Sequence, residues 1–314
     1  MTPSSYVVET DGLTKKFGSR TVVCDVDLKV PRGSAFGYLG PNGAGKTTLI
    51  RMLLGLTPAT AGSMRLIGLP VPERRGEALA RVGAIVEEPR FHGYLTGREN
   101  LEIVAAARDR EAARRIADAI ERVGLAKRAD DRVRTYSLGM RQRLGIARIL
   151  MADPELLILD EPMNGLDPAG IEETRVLIRA LVAEGRTVVL SSHLLDEVEK
   201  TVDALAIVDQ GRIVAQGSIG ELTRSGPPTV VVGSADNQRA GALLAPLRSV
   251  ARIAVEDGVL RVGLGGRISA VNEAIADINR RLVEAGIPVY RLEPEHASLE
   301  QRFLEITSRL EEAA

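Results

Sequence analysis

Two hydrophobic periodicities run along the chain. Over residues 22–30 the apolar Val22, Cys24, Val26, Leu28 and Val30 alternate with Asp25, Asp27 and Lys29. That period of two predicts a half-exposed antiparallel strand. Further on the strands change character. Ala35–Leu39, Ala84–Val86, Leu156–Leu159, Val188–Leu190 and Ala204–Val208 are short unbroken apolar runs, as expected of strands buried on both faces of a parallel sheet. Helical patterns lie between them, for example Ile171–Ala183 before Val188. The alternation predicts an α/β domain with a small antiparallel edge. From residue 97 to 150 the strand signal disappears, which predicts a helical subdomain over about 90–150.

Ser225-Gly226-Pro227-Pro228 reads as a linker, and the pattern changes after it. The expected domains are therefore 1–224 and 225–314. In the second, Val230–Val232, Asn237–Leu247, Ala251–Val255, Val259–Leu264, Ile268–Glu284 and Val289–Leu292 follow the order β-α-β-β-α-β, the ferredoxin-like α+β pattern. A last helix is expected over Ala297–Leu310.

Composition narrows the partners. A chain of 314 residues is natural for two domains. Forty-one basic and forty-two acidic side chains leave a net charge of -1, which argues against general polyanion binding. Locally, Arg108 to Arg148 holds twelve Arg or Lys against six Asp or Glu. Solvated helical faces account for that excess. A nucleic-acid surface is the alternative, without the interleaved aromatics that would support it. The single Cys24 excludes an intrachain disulfide framework and fits a reducing compartment. Three histidines and one cysteine are too few for a structural zinc site. With no apolar stretch near the roughly 18 residues of a membrane span, and no signal-peptide pattern at Met1–Tyr6, a cytoplasmic location is expected. Any membrane role then needs another chain to supply the membrane.

The chemistry is concentrated at strand ends. Gly40-Pro41-Asn42-Gly43-Ala44-Gly45-Lys46-Thr47-Thr48 follows an apolar strand and opens a helical run, the context of a phosphate-binding P-loop. Its glycines let backbone N–H groups turn inward around phosphate oxygens, and the helix N-terminus adds a favourable dipole. Lys46 is expected on the β- and γ-phosphates, and the Thr47 hydroxyl on Mg²⁺. The buried run Leu156–Leu159 ends in Asp160-Glu161. Beside a P-loop, Asp160 is expected to hold Mg²⁺ and Glu161 to take a proton from an attacking water. Val188–Leu190 leads into Ser191-Ser192-His193, and Ala84–Val86 delivers Glu87. Ligands of open α/β sheets bind at the carboxyl ends of strands. Lys46, Asp160, His193 and Glu87 are thus expected in one site.

These residues resemble the ATP-binding subunit of an ABC transporter over roughly residues 6–222. Tyr136-Ser137-Leu138-Gly139-Met140-Arg141-Gln142 resembles the family's Leu-Ser-Gly-Gly-Gln signature. Gly165-Leu166-Asp167 resembles the loop after the catalytic glutamate, and His193 the switch histidine. The resemblance implies a head-to-tail homodimer with two ATP molecules, each held between one P-loop and the partner's Ser137 and Gly139. It also implies adenine stacking on Phe17. Leu138 and Met140 depart from the signature. Glu87 stands where most members carry glutamine, and Val82-Gly83-Ala84-Ile85-Val86-Glu87-Glu88-Pro89 resembles the bacitracin-, lantibiotic- and daunorubicin-type exporter branch. An extra carboxylate there is expected to act on the metal or on hydrolysis. Ser298-Leu299-Glu300-Gln301-Arg302-Phe303-Leu304-Glu305 resembles that branch's tail.

The function so implied is an ATP-hydrolysing motor on the inner face of the cell membrane. It drives a separate membrane permease that exports a drug, an antibiotic peptide or a lipid. An ATP-driven clamp on nucleic acid or ribosome, built on the same core, is the alternative. Tandem ATPase domains or a long coiled-coil insertion would favour that clamp, and the sequence has neither.

Overall fold

The computed structural model describes residues 5–224, 228–256, 258–265 and 271–295. The chain forms two compact units, residues 1–218 and 219–314. Linker residues 225–227, the tail helix expected over 297–310 and the start of the helix expected from Ile268 lie outside the described residues.

The expected strand over 22–30 is divided in two. Strand β1 (Tyr6–Phe17) pairs through its end with β2 (Arg20–Val26) and through its beginning with β3 (Lys29–Pro31), both antiparallel. The buried Thr10 hydroxyl bridges the break, donating to Val26 O at 2.6 Å and accepting from the Leu28 N–H at 2.8 Å. The alternation runs through because Val26, Leu28 and Val30 all stay buried on the same side.

After the first core strand, β4 (Ala35–Leu39), comes helix α1 (Lys46–Leu53). Strands β5 (Ala61–Leu66) and β6 (Leu69–Val71) then complete the antiparallel sheet in the order β2-β1-β5-β6. Short helix α2 (Arg75–Leu79) leads to β7 (Val82–Ile85). The helical segment follows as α3 (Gly97–Arg108), α4 (Arg110–Arg114), α5 (Ile116–Arg122) and α6 (Leu138–Leu150). Thr96 and Glu99 close a reciprocal capping box at its start.

The remaining elements of this unit are β8 (Leu156–Leu159), α7 (Pro168–Ala183), β9 (Thr187–Ser192), α8 (Leu195–Glu199), β10 (Ala204–Asp209) and β11 (Arg212–Ser218). The larger sheet has the order β11-β10-β4-β9-β8-β7. All its pairs are parallel except the edge strand β11. Every residue of β4, β8 and β9 is buried, which explains their unbroken apolar runs. Leu49, Ile50 and Leu53 of α1 share one core with Val8 and Leu28 of the antiparallel sheet and Phe36, Ile158 and Val189 of the parallel sheet.

The second unit opens with α9 (Ile219–Arg224). It continues as β12 (Thr229–Ser234), α10 (Asn237–Leu244), β13 (Val250–Glu256), β14 (Val259–Leu264), α11 (Val271–Glu284) and β15 (Val289–Glu295). Its antiparallel sheet has the order β13-β14-β12-β15. Val230, Val232, Leu260 and Val262 pack with Leu244, Ile278 and Leu282 of the helices in a separate core.

Candidate active site

The loop between β4 and α1 is shaped by close approaches. A Cβ on Gly40 would stand 2.2 Å from Val208 O of β10, and one on Gly45 would stand 2.6 Å from Val22 O. Gly43 and Gly45 also adopt φ of 87° and 97°, a region costly for residues with a side chain. Gly45 caps α1 without a side-chain hydrogen bond, and no acidic residue lies in the first turn. The positive end of this helix is thereby left for an anion.

Lys46 is 6% exposed and extends back across the loop. Its Nζ donates to Gly40 O at 2.7 Å and Pro41 O at 3.2 Å, and pairs with Glu161 Oε1 at 3.2 Å. The other Glu161 oxygen, Oε2, meets His193 Nδ1 at 2.9 Å. An ionised carboxylate only accepts, so the proton of this bond sits on Nδ1 and Nε2 is left for another group. Three strand ends, β4, β8 and β9, therefore converge in the chain Lys46–Glu161–His193.

Asp160 is 7% exposed and has no Lys, Arg or His within ion-pair distance among the described residues. Its Oδ1 accepts from the Ser191 hydroxyl at 2.5 Å, and Ser191 Oγ in turn accepts from the Glu161 N–H at 2.9 Å. Glu161 itself has φ 48°, a left-handed conformation that costs a non-glycine residue roughly 1–2 kcal/mol. A buried carboxylate without a cationic partner is expensive, so Asp160, with the hydroxyl of Thr47 lining the same pocket as the adjoining Glu161, suits a divalent cation. No group of three or more His, Cys, Asp or Glu among the described residues could hold a metal by itself. The donors would have to be completed by the ligand's phosphates or water.

A pocket of about 340 Å³ opens over this site, lined by Asn42, Gly43, Lys46, Thr47, Thr48 and Glu161, with Phe17 and Val22 on its flank. Phe17 ends β1 and is 53% exposed, with Lys15 Nζ 4.8 Å from its ring centroid. Pro41 and Ala44 form the turn of the loop through an Ala44 N–H to Pro41 O bond of 3.2 Å.

Ser137 is the N-cap of α6 and accepts from the Met140 N–H at 3.2 Å, with Gly139 in the first turn. Both lie on the helical segment rather than on the sheet edge that carries Lys46, and neither lines the pocket over Lys46. Leu138 is packed against the loop after Glu161. A Cβ on Gly165 would stand 3.0 Å from Leu138 Cδ2.

Glu87 departs from the expectation of a catalytic or metal-binding role. It leaves β7 beside the others, but its carboxylate pairs with Arg51 of α1 and its side chain is 62% exposed. It lines a separate groove of about 440 Å³ with Leu54, Leu56, Leu79 and Pro89, and with Arg75 and Arg148. The reason is local: Glu87 takes φ 66°, beyond the end of β7 at Ile85. Ser191 was legible only as part of a strand end. Its place on β9 beside β8, where Leu190 pairs with Leu159, was the missing signal.

The arginine excess of the helical segment is balanced from outside it. Arg115 meets Asp153 at 3.9 Å, Arg122 meets Glu184, Arg141 meets Glu88 at 3.1 Å and Arg143 meets Glu173 at 3.2 Å.

A phosphate loop at the end of a parallel strand, with a paired Lys–Glu–His chain behind it, defines a nucleotide-binding ATPase of the α/β class. A family model for the ABC transporter matches residues 23–164. The bacitracin transport ATP-binding protein BcrA of Enterococcus faecalis is 39% identical over 299 residues, 95% of each chain. The daunorubicin resistance ATP-binding protein DrrA3 of Streptomyces coeruleorubidus is 35% identical over 98% of each chain. A solved ATP-binding subunit of an ABC transporter superposes with a TM-score of 0.62 at 29% identity, over 69% of this chain and 92% of its own. The chain belongs to the ABC transporter family, as an ATP-binding subunit that hydrolyses ATP to drive transport. No helix among the described residues is long and apolar enough to cross a membrane.

Proposed function

We propose that this subunit drives an exporter whose cargo is a drug, an antibiotic peptide or a lipid, through a permease supplied by another chain. The names of the bacitracin and daunorubicin relatives support the cargo class. The single observation that carries the hydrolytic reading is the chain from Lys46 Nζ through both Glu161 oxygens to His193 Nδ1.

In this reading ATP lies with its adenine on Phe17 and its phosphates on the loop from Gly40 to Thr48. Lys46 neutralises charge that develops on the transferred phosphoryl group, which is mostly electrostatic work. Glu161 polarises the attacking water and His193 fixes the γ-phosphate. Thr47 and Asp160 would hold Mg²⁺, which supplies Lewis acidity to the phosphate oxygens. Ser137 and Gly139 serve the ATP of a second copy. Ser137 Oγ already accepts from its own helix, so its hydroxyl proton is available to a phosphate of the partner's nucleotide. Two copies therefore assemble head to tail around two ATP molecules. The groove beside Glu87, apolar in its floor and bearing Arg75 and Arg148, is the surface for the permease, through which the subunit sits at the inner face of the membrane.

The test is Glu161→Gln in the full subunit. ATP binding is retained, hydrolysis falls by at least ~100-fold, and an ATP-dependent dimer accumulates in sedimentation. Cross-linking that variant in native membranes should capture a multi-span protein. Wild-type turnover in Glu161→Gln would remove Glu161 from its role. Capture of ribosomal protein or nucleic acid in place of a membrane protein would favour the clamp.

A further inference from the structure

Ser191 is fully buried in β9, where the preceding residues are the apolar run Val188 to Leu190. An aliphatic side chain would fill such a position with no polar group to satisfy. Its hydroxyl meets two neighbours, and both belong to the site. The Glu161 N–H donates to Ser191 Oγ at 2.9 Å. That bond uses a lone pair, so the hydroxyl proton is directed to Asp160 Oδ1, at 2.5 Å. A hydroxyl bound to a carboxylate is a charge-assisted contact and among the stronger ones available.

The two bonds act on different parts of the site. One fixes the carboxylate that the mechanism assigns to the cation. The other fixes the backbone of Glu161, the residue held at φ 48°. The Glu161 side chain spans Lys46 and His193 only while that backbone is held, since its direction follows from φ.

We propose that Ser191 is a positioning residue for hydrolysis: one buried hydroxyl clamps the Asp160 carboxylate and the Glu161 backbone into a single geometry. The proposal rests on the reading of Glu161 as the water-polarising group. Ser191 is fully buried and does not line the pocket over Lys46, so it acts through Asp160 and Glu161. Removing it loosens the aim of the carboxylate while leaving the phosphate loop intact.

The experiment compares Ser191→Ala, Ser191→Thr and Glu161→Gln in the full subunit. It reads kcat and KM for Mg-ATP, the thermal midpoint, and amide exchange at Glu161 in the nucleotide-free protein. Ser191→Ala is expected to lower kcat by ~10- to 100-fold, the usual cost of losing a supporting hydrogen bond to a functional group. KM for Mg-ATP should change much less than kcat, since the phosphate loop is left intact. The Glu161 amide should exchange faster, having lost its acceptor. Ser191→Thr, which keeps the hydroxyl, should restore both kcat and amide protection. Wild-type kcat and unchanged protection in Ser191→Ala would overturn the proposal. So would a loss of kcat that tracks a fall in thermal midpoint and that threonine does not rescue. Wild-type hydrolysis by Glu161→Gln would instead overturn the reading on which the proposal stands, whatever Ser191→Ala does.

Discussion

Individual residues in the phosphate loop are constrained for different reasons, and substitution should separate them. At Gly40 an added methyl meets the Val208 carbonyl at 2.2 Å, a backbone atom of a core strand that has no room to yield. Gly43 has φ 87° but nothing within 4 Å of an added Cβ. Gly40→Ala is therefore expected to destabilise the protein by ~2 kcal/mol or more, through overpacking. Gly43→Ala should cost only ~1 kcal/mol, through its backbone conformation alone. Denaturant unfolding of the two variants checks the ranking, and equal losses would refute the steric account. These glycines were legible in the sequence because the motif's spacing names them. The neighbour that makes Gly40 obligatory was not, since Val208 lies on a strand more than 160 residues away that only the parallel pairing brings alongside.

Among the elements, α6 and the loop after β8 are joined by the contact of Leu138 with Gly165. Leu138 is one of the departures from the signature, and its side chain fills the space over a glycine at φ 72°. Gly165→Ala and Leu138→Ala should therefore couple. Shortening Leu138 relieves the crowding of the alanine at 165, and a double-mutant cycle should return a favourable interaction of ~0.5 kcal/mol or more. Strict additivity would show that the two elements are independent.

A second link between elements is electrostatic. Hydrogen bonds from Arg81 hold the Glu155 carboxyl below its ordinary range, with Arg32 adding to them. A carboxyl whose pKa is lower folded than unfolded stabilises the protein above the unfolded value, near 4.3, and loses that contribution as pH falls through the folded value. Glu155→Gln should thus lower the thermal midpoint at pH 7, and the difference should shrink as the pH is taken below the unfolded value and through the folded one. Both partners are about two-fifths exposed, so the effect should stay below ~1 kcal/mol.

The parallel strands were legible as elements because burial on both faces leaves unbroken apolar runs in β4, in β8 and at Val188–Leu190 of β9. Strands β1, β5 and β6 were not. β1 carries Glu9, Asp11, Lys15 and Lys16 with Gly12 among them, and its role as the centre of a sheet depends on partners distant in sequence.

On the scale of the whole molecule, Glu87 marks a division of labour. The sequence placed it with the catalytic residues because its strand runs beside theirs. The structure turns it into the groove of Arg75 and Arg148, paired with Arg51 from the helix that follows the phosphate loop. That pair ties the proposed permease surface to the element whose first residue is Lys46. Glu87→Gln is expected to retain ATP binding and to change the hydrolysis measured with the permease present. Unchanged turnover together with unchanged transport in membranes would exclude Glu87 from coupling.

The ammonium group of Lys46 donates to Gly40 O and Pro41 O, and its charge is paired with Glu161 Oε1 at 3.2 Å. An arriving phosphate oxygen competes with Glu161 for the charge of this lysine. If the partner given up is Glu161, arrival of the nucleotide returns to that carboxylate the negative charge that the lysine had cancelled. The substrate would then switch on the base that activates its attacking water, and a subunit with no nucleotide would keep that base quenched.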